Sequence, residues 1–240
     1  MEKIEICIPA FNEEEIISEA VDTVSLVFRE AGRNVLITVS DNASTDNTAS
    51  IAGRIPGISV VTVPVRGKGA GVVVAARRSE ADIFGFIDAD LSANPTDIIS
   101  LLHFAENGDY DIAIGSRLID STIVDRGMLG TFSSKMFNMV RKIIVGVKSV
   151  EDTQCGLKFM NARGRKILAE CKEIGWFFDV EFLARAERAG LRIREVPIHW
   201  QEYRFPNRAS KLNHVRDSVG AIQAMLRIRK SLKREQTRNA

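Results

Sequence analysis

The stretch Ile83-Phe84-Gly85-Phe86-Ile87-Asp88-Ala89-Asp90 decides the fold class of this 240-residue chain. Its five apolar residues predict a buried strand, and the two carboxylates come where such a strand leaves the core. Side chains at positions i and i+2 of an extended segment share a face, so Asp88 and Asp90 are expected to project together. An acidic turn at the end of a buried strand is typical of α/β proteins, whose ligands gather at the strand ends.

Similar segments surround this strand. Four more short runs rich in Val and Ile, at residues 4–9, 35–40, 58–63 and 111–114, alternate with helical patterns. This alternation predicts an α/β fold with a mostly parallel central sheet and helices on both faces. The second half is less regular, with helices predicted at about 128–145, 162–172 and 178–189 and strands near 153–160 and 192–198.

Composition places the chain among ordinary globular proteins. Apolar residues make up 45% and charged residues 27%, far from disordered or disulfide-rich compositions. Three widely separated cysteines, Cys7, Cys155 and Cys171, are predicted to be reduced thiols in a cytoplasmic protein. The sequence shows neither a secretory signal nor a run of about 18 apolar residues, so a soluble or peripheral protein is expected.

The C-terminal segment is the basic part of the chain. Residues 203–240 hold ten Lys or Arg against Asp217 and Glu235, a net charge of +8. Residues 214–234 have a helical pattern, with one apolar stripe (Val215, Val219, Ile222, Leu226) and one basic stripe (Arg216, Arg227, Lys230, Arg234). Such a helix either docks its apolar stripe on the domain or lies on a membrane surface.

The acidic turn has two interpretations. Two hard oxygen ligands at a strand end suit Mg²⁺ or Mn²⁺ bridging a diphosphate. The alternative is an ordinary polar loop, because two aspartates one residue apart occur often by chance. The position of Asp88 and Asp90 after the fourth strand of an alternating sheet favours the metal site.

Two further segments are candidates for nucleotide contacts. Asp41 ends the second strand, where a carboxylate can accept hydrogen bonds from a nucleobase or ribose, while Asp46 is explained by helix capping. The run Gly67-Lys68-Gly69-Ala70-Gly71 opens a helix and offers a cation to a phosphate. It lacks the P-loop spacing, and three glycines at a turn are also commonly structural.

Taken together, these motifs resemble family 2 glycosyltransferases of the GT-A fold. The resemblance rests on Ile8-Pro9-Ala10-Phe11-Asn12-Glu13-Glu14, on the Asp41, Lys68 and Asp88 segments, and on Gly115-Ser116-Arg117. The second half, with Asp152-Thr153-Gln154-Cys155-Gly156-Leu157-Lys158 and Phe178-Asp179-Val180-Glu181, is similar to the branch that makes dolichyl- or polyprenyl-phosphate sugars, and most similar to dolichyl-phosphate β-glucosyltransferases. The resemblance implies a single domain over residues 1–212, with a nucleotide-sugar-binding half (1–115), an acceptor half (116–212), and a basic amphipathic C-terminal helix and tail (213–240).

The resemblance also implies roles for individual residues. The implied nucleotide site consists of Pro9, Phe11, Asn12, Glu13, Asp41, Lys68 and Asp88. Asp88 and Asp90 would hold the metal, but Ser92 stands where mannosyl-transferring relatives carry a metal-binding Gln. The implied catalytic group comprises Asp88, Asp90, Arg117, Arg126, Asp152 and Lys158, with Arg117 gripping an acceptor phosphate and Arg126 as a second clamp. Asp179 and Glu181 either orient the sugar or form the polar side of a helix.

The expected reaction is inverting, metal-dependent transfer of a sugar from a nucleoside diphosphate sugar to dolichyl or polyprenyl phosphate. UDP-glucose is the favoured donor, ahead of UDP-N-acetylglucosamine and GDP-mannose. A transferase acting on a sugar hydroxyl of a glycolipid or polysaccharide is the alternative, with Asp152 or Asp179 as base; a non-catalytic nucleotide-sugar-binding protein is a remote one. The expected location is the cytoplasmic face of a membrane, and nucleic acid is not an expected partner.

Overall fold

The computed structural model describes residues 2–119, 144–201 and 214–239. The strands within these ranges are β1 (Ile4–Ala10), β2 (Leu36–Asp41), β3 (Ile58–Thr62), β4 (Ile83–Ile87), β5 (Ile112–Ser116), β6 (Leu157–Asn161) and β7 (Ile193–Pro197). The helices are α1 (Ile17–Glu30), α2 (Thr48–Ala52), α3 (Lys68–Arg78), α4 (Asp97–Glu106), α5 (Ala162–Ala169), α6 (Phe178–Arg188) and α7 (His214–Asn239).

The strands form one sheet in the order β3-β2-β1-β4-β6-β5-β7. β6 runs antiparallel to β4 and β5, and the other neighbours are parallel. Helix α1 contacts α2 and α4, while α3 contacts α5 and α6. The predicted mostly parallel sheet with helices on both faces is confirmed.

The centre of the sheet explains why its strands read as continuous apolar runs. Every residue of β1 and β4 is buried, as expected for strands covered on both faces. Gly85 of β4 lies opposite Phe159 of β6, and a side chain at Gly85 would meet the Phe159 ring at 2.5 Å. The absence of a side chain at Gly85 therefore leaves room for the Phe159 ring to pack against the middle of the sheet.

The predicted bounds of strands and helices agree with the structure to within a few residues wherever the chain is described. The helix predicted at 128–145 lies almost entirely outside the described residues. Cys7, Cys155 and Cys171 are buried and free. In the part of the chain that the structure describes, no helix is long and apolar enough to cross a membrane.

Helix α7 docks through a different stripe from the one predicted. Its buried face consists of Ala221, Ala224, Met225, Ile228 and Leu232. Ile222 and Leu226 are instead 47% and 51% exposed, so the prediction that they dock on the domain is wrong. Side chains three and four residues apart share a helix face, and here the face of Met225 turns inward. The side chains of Val215 and Val219 lie outside the described residues.

Candidate functional site

Three loops at the carboxyl ends of β1, β2 and β4 form one edge of the sheet. Each contains a non-glycine residue in the left-handed region: Asn12 at φ 54°, Ala43 at φ 60° and Leu91 at φ 50°. Such conformations are costly and persist where surrounding contacts enforce them. Their concentration at the edge where the predicted site residues lie marks this edge as the candidate site.

The loops after β1 and β2 are joined by hydrogen bonds. The Asn12 amide donates to Ser44 Oγ at 2.9 Å, and Asn12 Oδ1 accepts from the Thr45 amide at 2.8 Å. The Glu13 amide donates to Thr48 Oγ1 at 2.8 Å. Asn12 therefore joins the two loops that line one side of the cleft at this edge of the sheet.

Asp41 is placed at the end of β2, as predicted. It is buried, with 3% of its surface exposed, and its Oδ1 atom has no hydrogen-bond partner. Pro9 lies nearby in β1, in register with Ser40. Phe11 follows β1, and the Arg66 guanidinium lies over its ring at 4.2 Å. Buried polar atoms are normally paired, so the Asp41 oxygen is suited to accept a hydrogen bond from a ligand.

The turn after β4 holds the two predicted metal-binding carboxylates. The Leu91 amide donates to the Asp88 carbonyl at 3.0 Å, and the Ser92 amide donates to Asp90 Oδ1 at 3.1 Å. The Asp88 amide donates to the Gly156 carbonyl, and a side chain at Gly156 would place a carbon 2.0 Å from Asp88 Oδ2. The glycine therefore makes room for the Asp88 carboxylate, whose hard oxygens are of the kind that divalent cations bind.

Lys68 lies beside this turn. Its Nζ atom is 2.7 Å from Asp88 Oδ1. Burial opposes the charge on Lys68, but the neighbouring carboxylates of Asp88, Asp179 and Asp90 outweigh this effect and raise its pKa. The lysine is therefore a cation at the site. Within the described residues, no group of three or more His, Cys, Asp or Glu side chains is placed to hold a metal ion.

The glycines around Lys68 serve packing. The amides of Gly69 and Ala70 donate to the carbonyls of Gly175 and Ile174, at 3.2 and 2.9 Å. A side chain at Gly67 would come within 2.2 Å of the Ile174 carbonyl oxygen. These two amides at the start of α3 are thus engaged by the segment before α6, as the structural interpretation of the glycine run expects.

Lys158 lies beneath the site. Its Nζ atom is fully buried, 2.6 Å from Asp179 Oδ1, and donates to the Cys155 carbonyl at 2.6 Å. Burial raises the pKa of Asp179, although Lys158 and Lys68 partly offset this effect. The Lys158 ammonium is also 5.1 Å from the Phe86 ring centroid, and that of Lys68 is 6.0 Å from the same ring. Lys158 and Asp179 therefore support the floor of the cleft from below.

The Glu181 carboxylate accepts hydrogen bonds from backbone amides. It is buried, and one of its oxygens accepts from the amides of Lys172 and Glu173, at 2.9 and 2.6 Å. The other accepts from Arg185 Nε at 2.8 Å. These bonds fix the segment that leads into α6 and place the Glu181 carboxylate inside the fold.

Arg117, which follows β5, and Asp152 form an ion pair. Arg117 Nε and Nη2 donate to the two Asp152 oxygens at 2.6 and 2.7 Å, and the Arg117 guanidinium lies 4.6 Å from the Trp200 ring centroid. Burial favours a neutral Asp152, but Arg117 lowers its pKa below the usual range. Glu195 accepts the Asp152 amide at 2.8 Å and fixes the loop. Arg126 lies outside the described residues.

Sequence reasoning missed the aromatic residues of the site. Trp200 packs on Arg117, and Trp176 lies with its ring centroid 5.2 Å from Lys68 Nζ. Both follow strongly patterned segments, and a tryptophan beside a polar turn was the available signal. The contact of each ring with a charged residue depends on the packing of distant segments, which the sequence pattern does not reveal.

Comparison with curated proteins identifies relatives. Glycosyltransferase AglD of Haloferax volcanii is 27% identical over 238 residues, covering 94% of this chain and 36% of that protein. The dolichyl-phosphate beta-glucosyltransferases of Saccharomyces cerevisiae and Drosophila melanogaster are 29% and 30% identical, each match covering 83% of this chain and 67% of the relative. The chain thus spans about a third of AglD and about two thirds of these glucosyltransferases.

Solved structures share the fold. Glucosyl-3-phosphoglycerate synthase from Mycobacterium tuberculosis, in complex with Mn²⁺, UDP and glucosyl-3-phosphoglycerate, superposes with a TM-score of 0.68 at 24% identity, covering 95% of this chain and 80% of that one. The model of glycosyl transferase family 2 matches residues 5–163, which include β1 to β6 and the cleft. The chain belongs to family 2 of the glycosyltransferases and has the GT-A fold.

Proposed function

We propose that this protein transfers a sugar, with inversion, from a nucleoside diphosphate sugar to dolichyl or polyprenyl phosphate. UDP-glucose is the favoured donor. The relatives named dolichyl-phosphate beta-glucosyltransferase support the acceptor and the sugar, and the fold neighbours crystallised with UDP and UDP-glucose support the nucleotide.

The observation that carries this proposal is that Asp152 and Asp179 are both engaged by cations. A hydroxyl acceptor would need one of these two carboxylates as a general base. Asp152 is bound at both oxygens by Arg117 and has a lowered pKa, so it holds a proton poorly. Burial raises the pKa of Asp179, but this carboxylate is 1% exposed and paired with Lys158, so it is not accessible to an acceptor hydroxyl. A phosphate is already anionic near neutral pH and needs no base, so this cleft suits a phosphate nucleophile better than a sugar hydroxyl.

The donor half of the proposed site is formed by Asp41, Lys68 and the acidic turn. Asp41 offers its unpartnered oxygen to the nucleoside, and Asp88 and Asp90 would hold Mg²⁺ or Mn²⁺. When bound, such a cation offsets the charge that develops on a leaving diphosphate. Lys68 adds a second positive charge beside Asp88, and Gly156 makes room for the Asp88 carboxylate.

Arg117 is the proposed grip for the acceptor phosphate. Its guanidinium uses Nε and Nη2 for Asp152, and no residue in the described part of the chain bonds Nη1. A guanidinium can hold anions on more than one edge, which a lysine ammonium does not reproduce. Trp200 stacks on its face and limits its rotation.

A lipid acceptor requires contact with a bilayer, and we assign this contact to the outer face of α7. Ile222 and Leu226 are exposed there, together with Arg229, Lys230 and Lys233. Two apolar side chains one turn apart, flanked by cations, suit the surface of an anionic membrane. We place the protein at the cytoplasmic face.

The test is a screen of UDP-glucose, UDP-N-acetylglucosamine and GDP-mannose with a short polyprenyl phosphate and Mg²⁺ or Mn²⁺. Formation of a polyprenyl-phosphate sugar is the expected result. Transfer to free sugars or glycolipid hydroxyls, without transfer to polyprenyl phosphate, would replace the proposal with the alternative acceptor. Donor binding with no turnover on any acceptor would indicate a binding protein.

A further inference from the structure

Trp176 is a large aromatic side chain left half exposed beside the cleft. It lies in the segment between α5 and α6 and is 48% exposed. Lys68 Nζ lies 2.7 Å from Asp88 Oδ1 and 5.2 Å from the Trp176 ring centroid, so this centroid lies no more than about 7.9 Å from the carboxylate oxygen. The exposed indole therefore lies within reach of a ligand bound at the acidic turn.

The backbone around Trp176 is fixed before any ligand arrives. The carbonyls of Ile174 and Gly175 accept the amides of Ala70 and Gly69 at the start of α3. On the other side, Phe178 is fully buried and its ring centroid lies 5.7 Å from that of Phe86. Trp176 is therefore carried by a segment held on both sides, and a preorganised aromatic surface binds at a lower entropic cost than a mobile one.

The chemistry of an indole selects the part of the donor that it contacts. A diphosphate carries charge and is served by Lys68 and a metal ion, whereas an aromatic face is apolar. A hexose ring presents C–H groups on its faces and hydroxyl groups around its edge, so one face packs well on a flat aromatic ring. In a nucleoside diphosphate sugar, the hexose is joined directly to the phosphate farther from the nucleoside.

We propose that Trp176 forms one wall of the donor-sugar site and stacks against the hexose of the nucleoside diphosphate sugar. This inference rests on the proposed use of such a donor and adds a residue that binds the sugar rather than the nucleotide. Trp176 also covers the Lys68 ammonium, and the experiment separates this shielding from a contact with the sugar.

The experiment measures the binding of UDP-glucose and of UDP, each with Mn²⁺ and without acceptor, by titration calorimetry. Trp176→Ala is expected to weaken UDP-glucose about tenfold while UDP changes less than about twofold. Trp176→Phe, which keeps an aromatic face, should retain most of the UDP-glucose affinity. Ile174→Ala, at a side chain 47% exposed two residues earlier, is the matched control and should change neither affinity.

Equal weakening of UDP and UDP-glucose in Trp176→Ala would show that the ring only shields the Lys68 and Asp88 pair, and would overturn the inference. Unchanged binding of both ligands would overturn it as well. A wild-type protein that binds none of the nucleotide sugars would instead overturn the proposed function. Thermal unfolding of each variant without ligand checks that the substitutions leave the fold intact.

Discussion

Arg117 and Asp152 meet through two parallel hydrogen bonds, Nε to Oδ2 at 2.6 Å and Nη2 to Oδ1 at 2.7 Å, so that a buried carboxylate already occupies one edge of the guanidinium. An acceptor phosphate would either bind beside this carboxylate or take its place. In both cases the planar guanidinium must hold anions along its edge, which an ammonium group cannot do.

Arg117→Lys is therefore expected to lower kcat/KM about 10²-fold while the Kd of UDP changes less than about threefold. Arg194→Lys is the matched control, because Arg194 in the neighbouring strand β7 also stacks on aromatic rings but lies away from the cleft. Equal losses of activity and UDP affinity would contradict the role of Arg117 as an acceptor grip.

Asp90→Ala should remove metal-dependent turnover, because it deletes one of the two carboxylates at the end of β4. The measurement is sugar transfer across a Mn²⁺ titration, with Asp109→Ala, an exposed aspartate before β5, as control. Full activity of Asp90→Ala in excess chelator would rule out the metal assignment.

Gly156→Ala should lower activity about 10-fold or more, because the added carbon would lie 2.0 Å from Asp88 Oδ2 and would displace this carboxylate. Gly220→Ala in α7 is the control: nothing lies within 4 Å of the added carbon, and alanine should stabilise the helix by about 0.5–1 kcal/mol. The pair is compared by transfer rate and by melting temperature. An active Gly156→Ala enzyme would show that the position of the Asp88 carboxylate against Gly156 is not needed.

Glu235 gives a prediction for pH dependence. Hydrogen bonds from Arg185 lower its pKa to about 2, against about 4.3 in an unfolded chain. Because the folded pKa is depressed, the stabilisation is fully present above about pH 5 and is lost as the pH falls from about 4.3 towards about 2. Glu235→Gln should thus cost about 1 kcal/mol at pH 7 and progressively less in acid. Denaturant unfolding at several pH values measures this, with the exposed Glu80→Gln as control.

Substitution of Ile222 and Leu226 by Ser should weaken sedimentation with anionic vesicles about 10-fold without lowering the melting temperature, since both side chains face solvent. Leu36→Ser, equally exposed at 47% at the start of β2, should leave vesicle binding unchanged. Unaltered sedimentation of the double variant would move the membrane contact to another surface. Deletion of residues 214–240 would be a poorer test, because it also removes the buried face of α7.

The strands could be predicted because β1 and β4 are buried on both faces and therefore consist of nearly continuous apolar residues. The position of Asp88 followed from the end of such a run. Lys158 could not be placed in this way. Only the antiparallel pairing of β6 with β4 sets Lys158 opposite Phe86 in the interior, and that pairing depends on residues more than seventy positions apart.

The face of α7 that packs on the domain could not be predicted from the sequence either. Hydropathy favours Ile222 and Leu226 as its inner face, yet the smaller or more flexible Ala221 and Met225 are buried instead. Glu235 lies on the same side of the helix as Ile228 and Leu232, and its carboxylate pairs with Arg185 of α6 and with Lys172. These contacts with distant segments, together with the burial of the apolar face, favour an orientation that the helical period leaves open.

Glu235 has one further consequence. The same carboxylate that binds Arg185 also binds Lys172 Nζ at 2.7 Å. Lys172 lies in the segment that continues to Trp176, and its backbone amide donates a hydrogen bond to Glu181 of α6. The last turns of α7 are thereby mechanically linked to a wall of the cleft. A crosslink or a substitution that separates this helix from α6 is therefore expected to disturb the segment that carries Trp176.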